Sequence, residues 1–151
     1  PLQLIKQVIA QLSNSGDYAI FLFGGGATET AQLDKLASDF KGVTNMAGKL
    51  SFTQELQLIS NLDVMLAMDS GNGHLTALYD IPVVTIWGVT HPFLGFAPFN
   101  QPNENQLLAD RTKYPLVPTS VYGSTYPDGY EKAIETISPS AIVEKVLSVL
   151  K

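Results

Sequence analysis

Apolar positions along the chain change period several times, and each change marks an element. Leu2, Ile5, Val8, Ile9 and Leu12 recur at helical spacing and predict an amphipathic helix to about Ser13. Asn14-Ser15-Gly16-Asp17 stops it. Tyr18 to Phe23 is apolar throughout, as expected for a short strand buried on both faces. After Gly24-Gly25-Gly26, a second helix is marked by Leu33, Leu36, Ala37 and Phe40, and Val43 to Met46 forms a strand. Ser51-Phe52-Thr53-Gln54 has the form of a capping box and opens a helix through Leu56 and Ile59. Val64 to Met68 is a strand that ends abruptly at Asp69, and the next helix carries Leu75, Leu78 and Tyr79 before Pro82 breaks it. Val83 to Trp87 and a short piece at Leu107 to Ala109 complete the strands. Ser138-Pro139 starts a last helix with an apolar face of Ile142, Val143, Val146, Leu147 and Leu150.

Strands that alternate with helices imply an α/β domain built on a parallel sheet. The stretch from Val89 to Ile137 departs from the pattern. It is rich in Pro, Gly, Asn and aromatic residues, and a loop of that length is usually functional or partly disordered. No repeat or interdomain linker is visible, so residues 1–151 read as one domain. The chain starts at Pro1 and enters a helix almost at once, which suggests an excerpt of something longer.

The stretch with the most chemistry is Asp69-Ser70-Gly71-Asn72-Gly73-His74. A strand, a tight turn and a helix start place it at the carboxyl end of a strand, where open α/β sheets bind ligands. Backbone N–H groups and the helix dipole favour an anion there. Ser70 and His74, four apart, share the helix face one turn from its start. The plainer alternative leaves Asp69 or Ser70 as a helix cap, the glycines as backbone geometry and His74 as a buried histidine bonded to a carbonyl. Gly24-Gly25-Gly26-Ala27-Thr28-Glu29 is a second glycine-rich turn, without GxGxxG spacing or a P-loop ending. Glu29 could accept bonds from ribose hydroxyls, or serve only the dipole of its own helix.

Composition narrows the choice. A net charge of -5 and the lack of a basic run argue against nucleic-acid binding. Without cysteine there are no disulfides or thiolate metal sites, which fits the cytoplasm. No apolar run is long enough to span a bilayer. The only other histidine, His91, sits beside Pro92 as a turn residue, and no acidic cluster has ligand spacing. Ser70 with Asp69 and His74 does not form a hydrolase elbow, because Met68 occupies the first glycine position of GxSxG.

Four segments together resemble the heptosyltransferases of glycosyltransferase family nine. Asp69 to His74, followed by Leu75 and Ala77, is similar to that family's Asp-Ser/Thr-Gly-x-x-His signature. Gly24 to Glu29, Asn45 to Ser51, and Trp87-Gly88-Val89-Thr90-His91-Pro92 agree in order and spacing, so the likeness covers roughly Leu2 to Phe99. The resemblance implies the C-terminal half of a GT-B fold, a Rossmann-like doubly wound parallel sheet that binds an ADP-sugar. It implies Glu29 on the ribose beside the Gly25-Gly26 turn, and the Leu50 backbone beside the adenine. Ser70 and Gly71 N–H groups would meet the diphosphate, with Asp69 and His74 alongside. It implies transfer of a heptose-type sugar to a lipopolysaccharide core with no cofactor or metal. The activity would be cytoplasmic, with room for peripheral association of the full-length protein with the inner membrane. The family's catalytic aspartate belongs to an N-terminal acceptor domain that is missing here, so this chain alone is expected to be inactive.

The first strand of the domain is missing too. In the order 3-2-1-4-5-6 that strand is central, so its loss predicts direct pairing of Tyr18–Phe23 with Val64–Met68 in a flavodoxin-like order, the alternative being a strand from another copy that fills the gap and makes a dimer. The alternative to a transferase half is a stand-alone flavodoxin-like module that binds a phosphorylated small molecule.

Overall fold

The structure, a computed structural model, describes residues 2–150. The described residues form two compact units, divided between Ile59 and Ser60.

The first unit runs α1 (Leu2–Ser15), β1 (Ile20–Leu22), α2 (Ala27–Ser38), β2 (Val43–Asn45) and α3 (Phe52–Ile59). β1 and β2 pair in parallel, with Ile20 opposite Val43 and Leu22 opposite Asn45. α1 buries Leu4, Val8, Ile9 and Leu12. Of the predicted stripe Val8, Ile9 and Leu12 are buried, Ile5 is half-buried and Leu2 is exposed, its place on the buried face taken by Leu4. Ile9, Leu22, Leu33, Leu36 and Ala47 form the core, joined by half-buried Ile5, Ile20 and Phe40. Phe40 packs there although α2 ends at Ser38, so it belongs to the turn after the helix. The capping box forms: Ser51 N–H donates to Gln54 Oε1 at 2.9 Å, and Gln54 N–H donates to Ser51 Oγ at 3.4 Å. At the entry to β2 glycine is required, because Gly42 has φ +80° and an added Cβ would stand 2.9 Å from the Tyr18 carbonyl oxygen.

The second unit holds β3 (Met65–Ala67), α4 (Gly71–Ala77), β4 (Val83–Trp87), β5 (Gln106–Leu108) and α5 (Pro139–Val149). Its sheet is parallel in the order β3-β4-β5. All five residues of β4 are buried, as a strand covered on both faces requires. Ser138 caps α5, accepting a hydrogen bond from Ala141 N–H at 3.1 Å, with Pro139 in the first turn. Short 3-10 turns at Pro92–Leu94, Asn103–Asn105 and Tyr130–Thr136 punctuate the long aromatic stretch, which is therefore ordered by local turns. The Gln101 side chain behaves like a piece of strand: its Oε1 accepts from Val83 N–H at 2.7 Å and its Nε2 donates to the Ile81 carbonyl at 3.3 Å.

Three expectations need correction. Tyr18–Phe23 and Val64–Met68 do not pair; the ladder partner of β1 is β2 and that of β3 is β4. These strands belong to different units, and each unit has its own sheet. β1 is also not buried on both faces: Tyr18 is exposed and only Leu22 is buried within the strand. α4 stops at Ala77, and Leu78 and Tyr79 lie exposed beyond it, because Asp80 takes φ +58° ahead of Pro82.

Candidate functional site

The predicted residues fall into two groups, one in each unit. In the second unit, β3 ends at Ala67 and α4 begins at Gly71, leaving three residues to reverse the chain. The reversal places Asp69 at φ +37°, a left-handed conformation for a residue with a side chain. Asp tolerates this better than most residues, but it still costs on the order of 1 kcal/mol. Ser70 is the N-cap with extended backbone (φ -123°, ψ 156°), yet its side chain makes no capping bond. The plain capping role is therefore unfilled, and the hydroxyl remains available. Gly71 is exposed, and an added Cβ would meet nothing within 4 Å. The start of α4 thus has open space at Gly71 beside Ser70 and Asp69, while Gly73 N–H donates to the Ser70 carbonyl at 3.1 Å. His74, half-buried, lies one turn on from Ser70, in the last turn of α4.

Gly73 has a different task. It is buried, and its Cβ would stand 3.0 Å from the Ala67 Cβ. The missing side chain lets α4 lie close on β3, which sets where the helix start points.

In the first unit, Gly26 caps α2 with φ +78° and Glu29 follows in the first turn. Glu29 is exposed, and its Oε2 accepts from Gly25 N–H at 2.9 Å. A Cβ on Gly24 would stand 2.9 Å from the Glu29 Cδ, so glycine lets the carboxylate fold back over the turn. The helix-terminal role of Glu29 is thus real, and it fixes the carboxylate's position. Leu50 is half-buried in the loop after β2, immediately before the capping box of α3.

Asn45 carried no predicted role. It is 2% exposed and makes three side-chain hydrogen bonds. The one signal in the sequence is its place at the head of the Asn45–Ser51 segment that carries the resemblance. Bonds from Asn45 and then Lys49 hold the Asp34 carboxyl below its ordinary range. His91 is the turn residue expected of it: its Nδ1 accepts from Phe93 N–H at 3.1 Å at the head of a 3-10 turn. Burial, aided by the Arg111 charge, pulls its pKa down. An open cleft of about 340 Å³ lies at the other end of β4, lined by Asp80, Pro82, Gln101 and Lys145 among others, and none of the predicted site residues lines it. Among the described residues no helix is long and apolar enough to cross a membrane.

Residues 3–125 match the model of glycosyltransferase family 9 (heptosyltransferase). The chain belongs to this family. Among relatives of this family 9 chain is the lipooligosaccharide heptosyltransferase 2 of Campylobacter jejuni, 26% identical over 144 residues, covering 93% of this chain and 43% of the relative. The lipopolysaccharide heptosyltransferase 2 of Salmonella typhimurium is 28% identical over 150 residues, covering 95% and 40%. The family 9 chain therefore spans about two-fifths of the length of these relatives. Among solved structures, the ADP-heptose lps heptosyltransferase II of E. coli superposes with a TM-score of 0.70 at 19% identity, over 99% of this chain and 41% of that one. The E. coli heptosyltransferase WaaC with ADP gives 0.70 at 22% identity, over 99% and 39%. At such identities the likeness is one of fold. It bears out the parallel α/β class and the GT-B architecture that the resemblance implies.

Proposed function

We propose that this chain is the donor-binding part of a transferase that moves a heptose-type sugar from an ADP-sugar to a lipopolysaccharide core, working in the cytoplasm. The observation that carries the reading is the head of α4, where a strained Asp69, a non-capping Ser70 and the open space at Gly71 lie together at the carboxyl end of β3. A diphosphate is the ligand such a helix start favours. Structures of the E. coli heptosyltransferase WaaC with ADP and with ADP-2-deoxy-2-fluoro heptose, similar in fold to this chain, support the same donor. Ser70 and Gly71 donate to the diphosphate, with Asp69 and His74 beside it. Glu29, next to the Gly25-Gly26 turn, accepts from the ribose hydroxyls, and the Leu50 backbone flanks the adenine. As the sugar departs, negative charge grows on the diphosphate, so donors already aimed there lower the barrier. The base that activates the acceptor hydroxyl belongs to the acceptor domain, and no cofactor or metal enters the reaction.

The test is calorimetric titration of ADP into the chain and into Gly71→Val. The open space at Gly71 lets the variant fold, while the valine blocks the approach of a phosphate. Loss of ADP binding with an unchanged melting temperature is expected. Equal affinity in the two proteins overturns the site.

A further inference from the structure

Asn45 ends β2 at the base of the first unit's candidate loops. Its Nδ2 donates to the Thr30 carbonyl at 3.2 Å and to Asp34 Oδ1 at 2.9 Å, and its Oδ1 accepts from Ala47 N–H at 2.9 Å. Both amide hydrogens are thereby used. Thr30 follows Glu29 in α2, and Ala47 lies in the loop that leads to Leu50. Asp34 also holds Lys49, the residue before Leu50, at 3.0 Å. One buried side chain therefore ties the helix turn that carries Glu29 to the loop that carries Leu50, with Asp34 and Lys49 as a second tie on the surface. Backbone pairing leaves this link unmade, because the β1–β2 ladder ends at Leu22 and Asn45.

We propose that Asn45 is a positioning residue that holds Glu29 and Leu50 as one adenosine-reading unit, an inference that rests on the donor reading above. It touches no substrate in this assignment and acts by fixing the two groups that do. Truncation leaves the Thr30 carbonyl and the Ala47 N–H to find other partners, and the two loops lose their common anchor. The nucleoside contribution to binding then falls, while the diphosphate contribution, made at the head of α4, is kept.

ADP and inorganic pyrophosphate, titrated by calorimetry into the wild-type chain, Asn45→Ala and Asp34→Ala, separate these contributions. A variant that merely lowers the folded fraction weakens both ligands by one factor. Asn45→Ala is expected to weaken ADP about tenfold and leave pyrophosphate unchanged. Asp34→Ala, on a half-exposed side chain, moves ADP the same way by a smaller factor. It keeps the test open if Asn45→Ala does not fold. An unchanged ratio of the two affinities in a folded variant overturns the role of Asn45 alone. A wild-type chain that binds pyrophosphate but not ADP overturns the donor reading and this inference with it.

Discussion

Gly73→Ala probes how closely α4 must lie on β3. The new Cβ would stand 3.0 Å from the Ala67 Cβ, 3.6 Å from Val83 Cγ1 and 3.8 Å from Pro98 Cγ. Apolar carbons prefer about 3.5–4.0 Å. The shortfall of roughly 0.5–1 Å at Ala67 cannot be absorbed by a rotamer, since alanine has none, and β3 is held by its ladder to β4. The helix must move. Overpacking of this kind costs about 1–3 kcal/mol, and the better helix propensity of alanine returns about 1 kcal/mol. The net destabilisation is then about 0–2 kcal/mol. Gly71→Ala supplies the control, because it makes the same chemical change in the same helix with nothing within 4 Å. Comparing the two removes most of the propensity contribution, so Gly73→Ala should be the less stable by about 1–3 kcal/mol. Urea denaturation with a common slope measures the difference. Equal midpoints, or a Gly73→Ala protein more stable than Gly71→Ala, would refute the close-packing argument.

Three further outcomes are expected. His91 is held neutral, with a folded pKa below the ordinary 6.5. The unfolded chain therefore binds the proton first, and the stability His91 contributes is complete above about pH 6.5 and lost as pH falls through the depressed value. Denaturation midpoints across pH 5–8 should show this loss, and His91→Asn should flatten it; a slope that survives the substitution assigns it elsewhere. Glu29→Ala should weaken ADP by about 1–3 kcal/mol, the worth of bonds to a charged acceptor, and should weaken adenosine too; unchanged affinity for both leaves Glu29 only its bond to Gly25. The chain alone should neither transfer nor hydrolyse an ADP-sugar in a coupled assay for released ADP, since a general base is needed at the acceptor hydroxyl. Turnover abolished by Asp69→Asn or His74→Ala would show that the chemistry is housed here.

The legible parts of the fold were those set by local chemistry. The Val8, Ile9 and Leu12 part of the α1 stripe, the capping box at Ser51, the Ser138-Pro139 start of α5 and the buried run Val83–Trp87 all depend on spacing within a few residues. The head of α4 was legible for the same reason, since an apolar run ending in Asp-Ser-Gly allows few geometries. Sheet order was not, because pairing of β1 or β3 depends on distant strands whose edges carry no residue-level label. The end of α4 was overread: Leu78 and Tyr79 keep the apolar period but follow the last helical turn and stay exposed. Asn45 escaped notice because its partners Thr30, Asp34 and Ala47 gather only when α2 packs on β2.

Gln101 shows how this sheet manages a shortage of backbone. β5 joins β4 only from Thr85 onward, so the first residue of β4 has no strand beside it on that side. A side-chain amide has the same donor and acceptor as a peptide group, and Gln101 lends its own to Val83 and Ile81. The position thus acts as a counterfeit peptide bond. It admits only residues that both give and take a hydrogen bond at that reach, whatever their hydropathy. It also anchors the aromatic stretch at a defined point, twenty residues from Ile81, so insertions between Trp87 and Gln101 can bulge outward without shifting the register of β5.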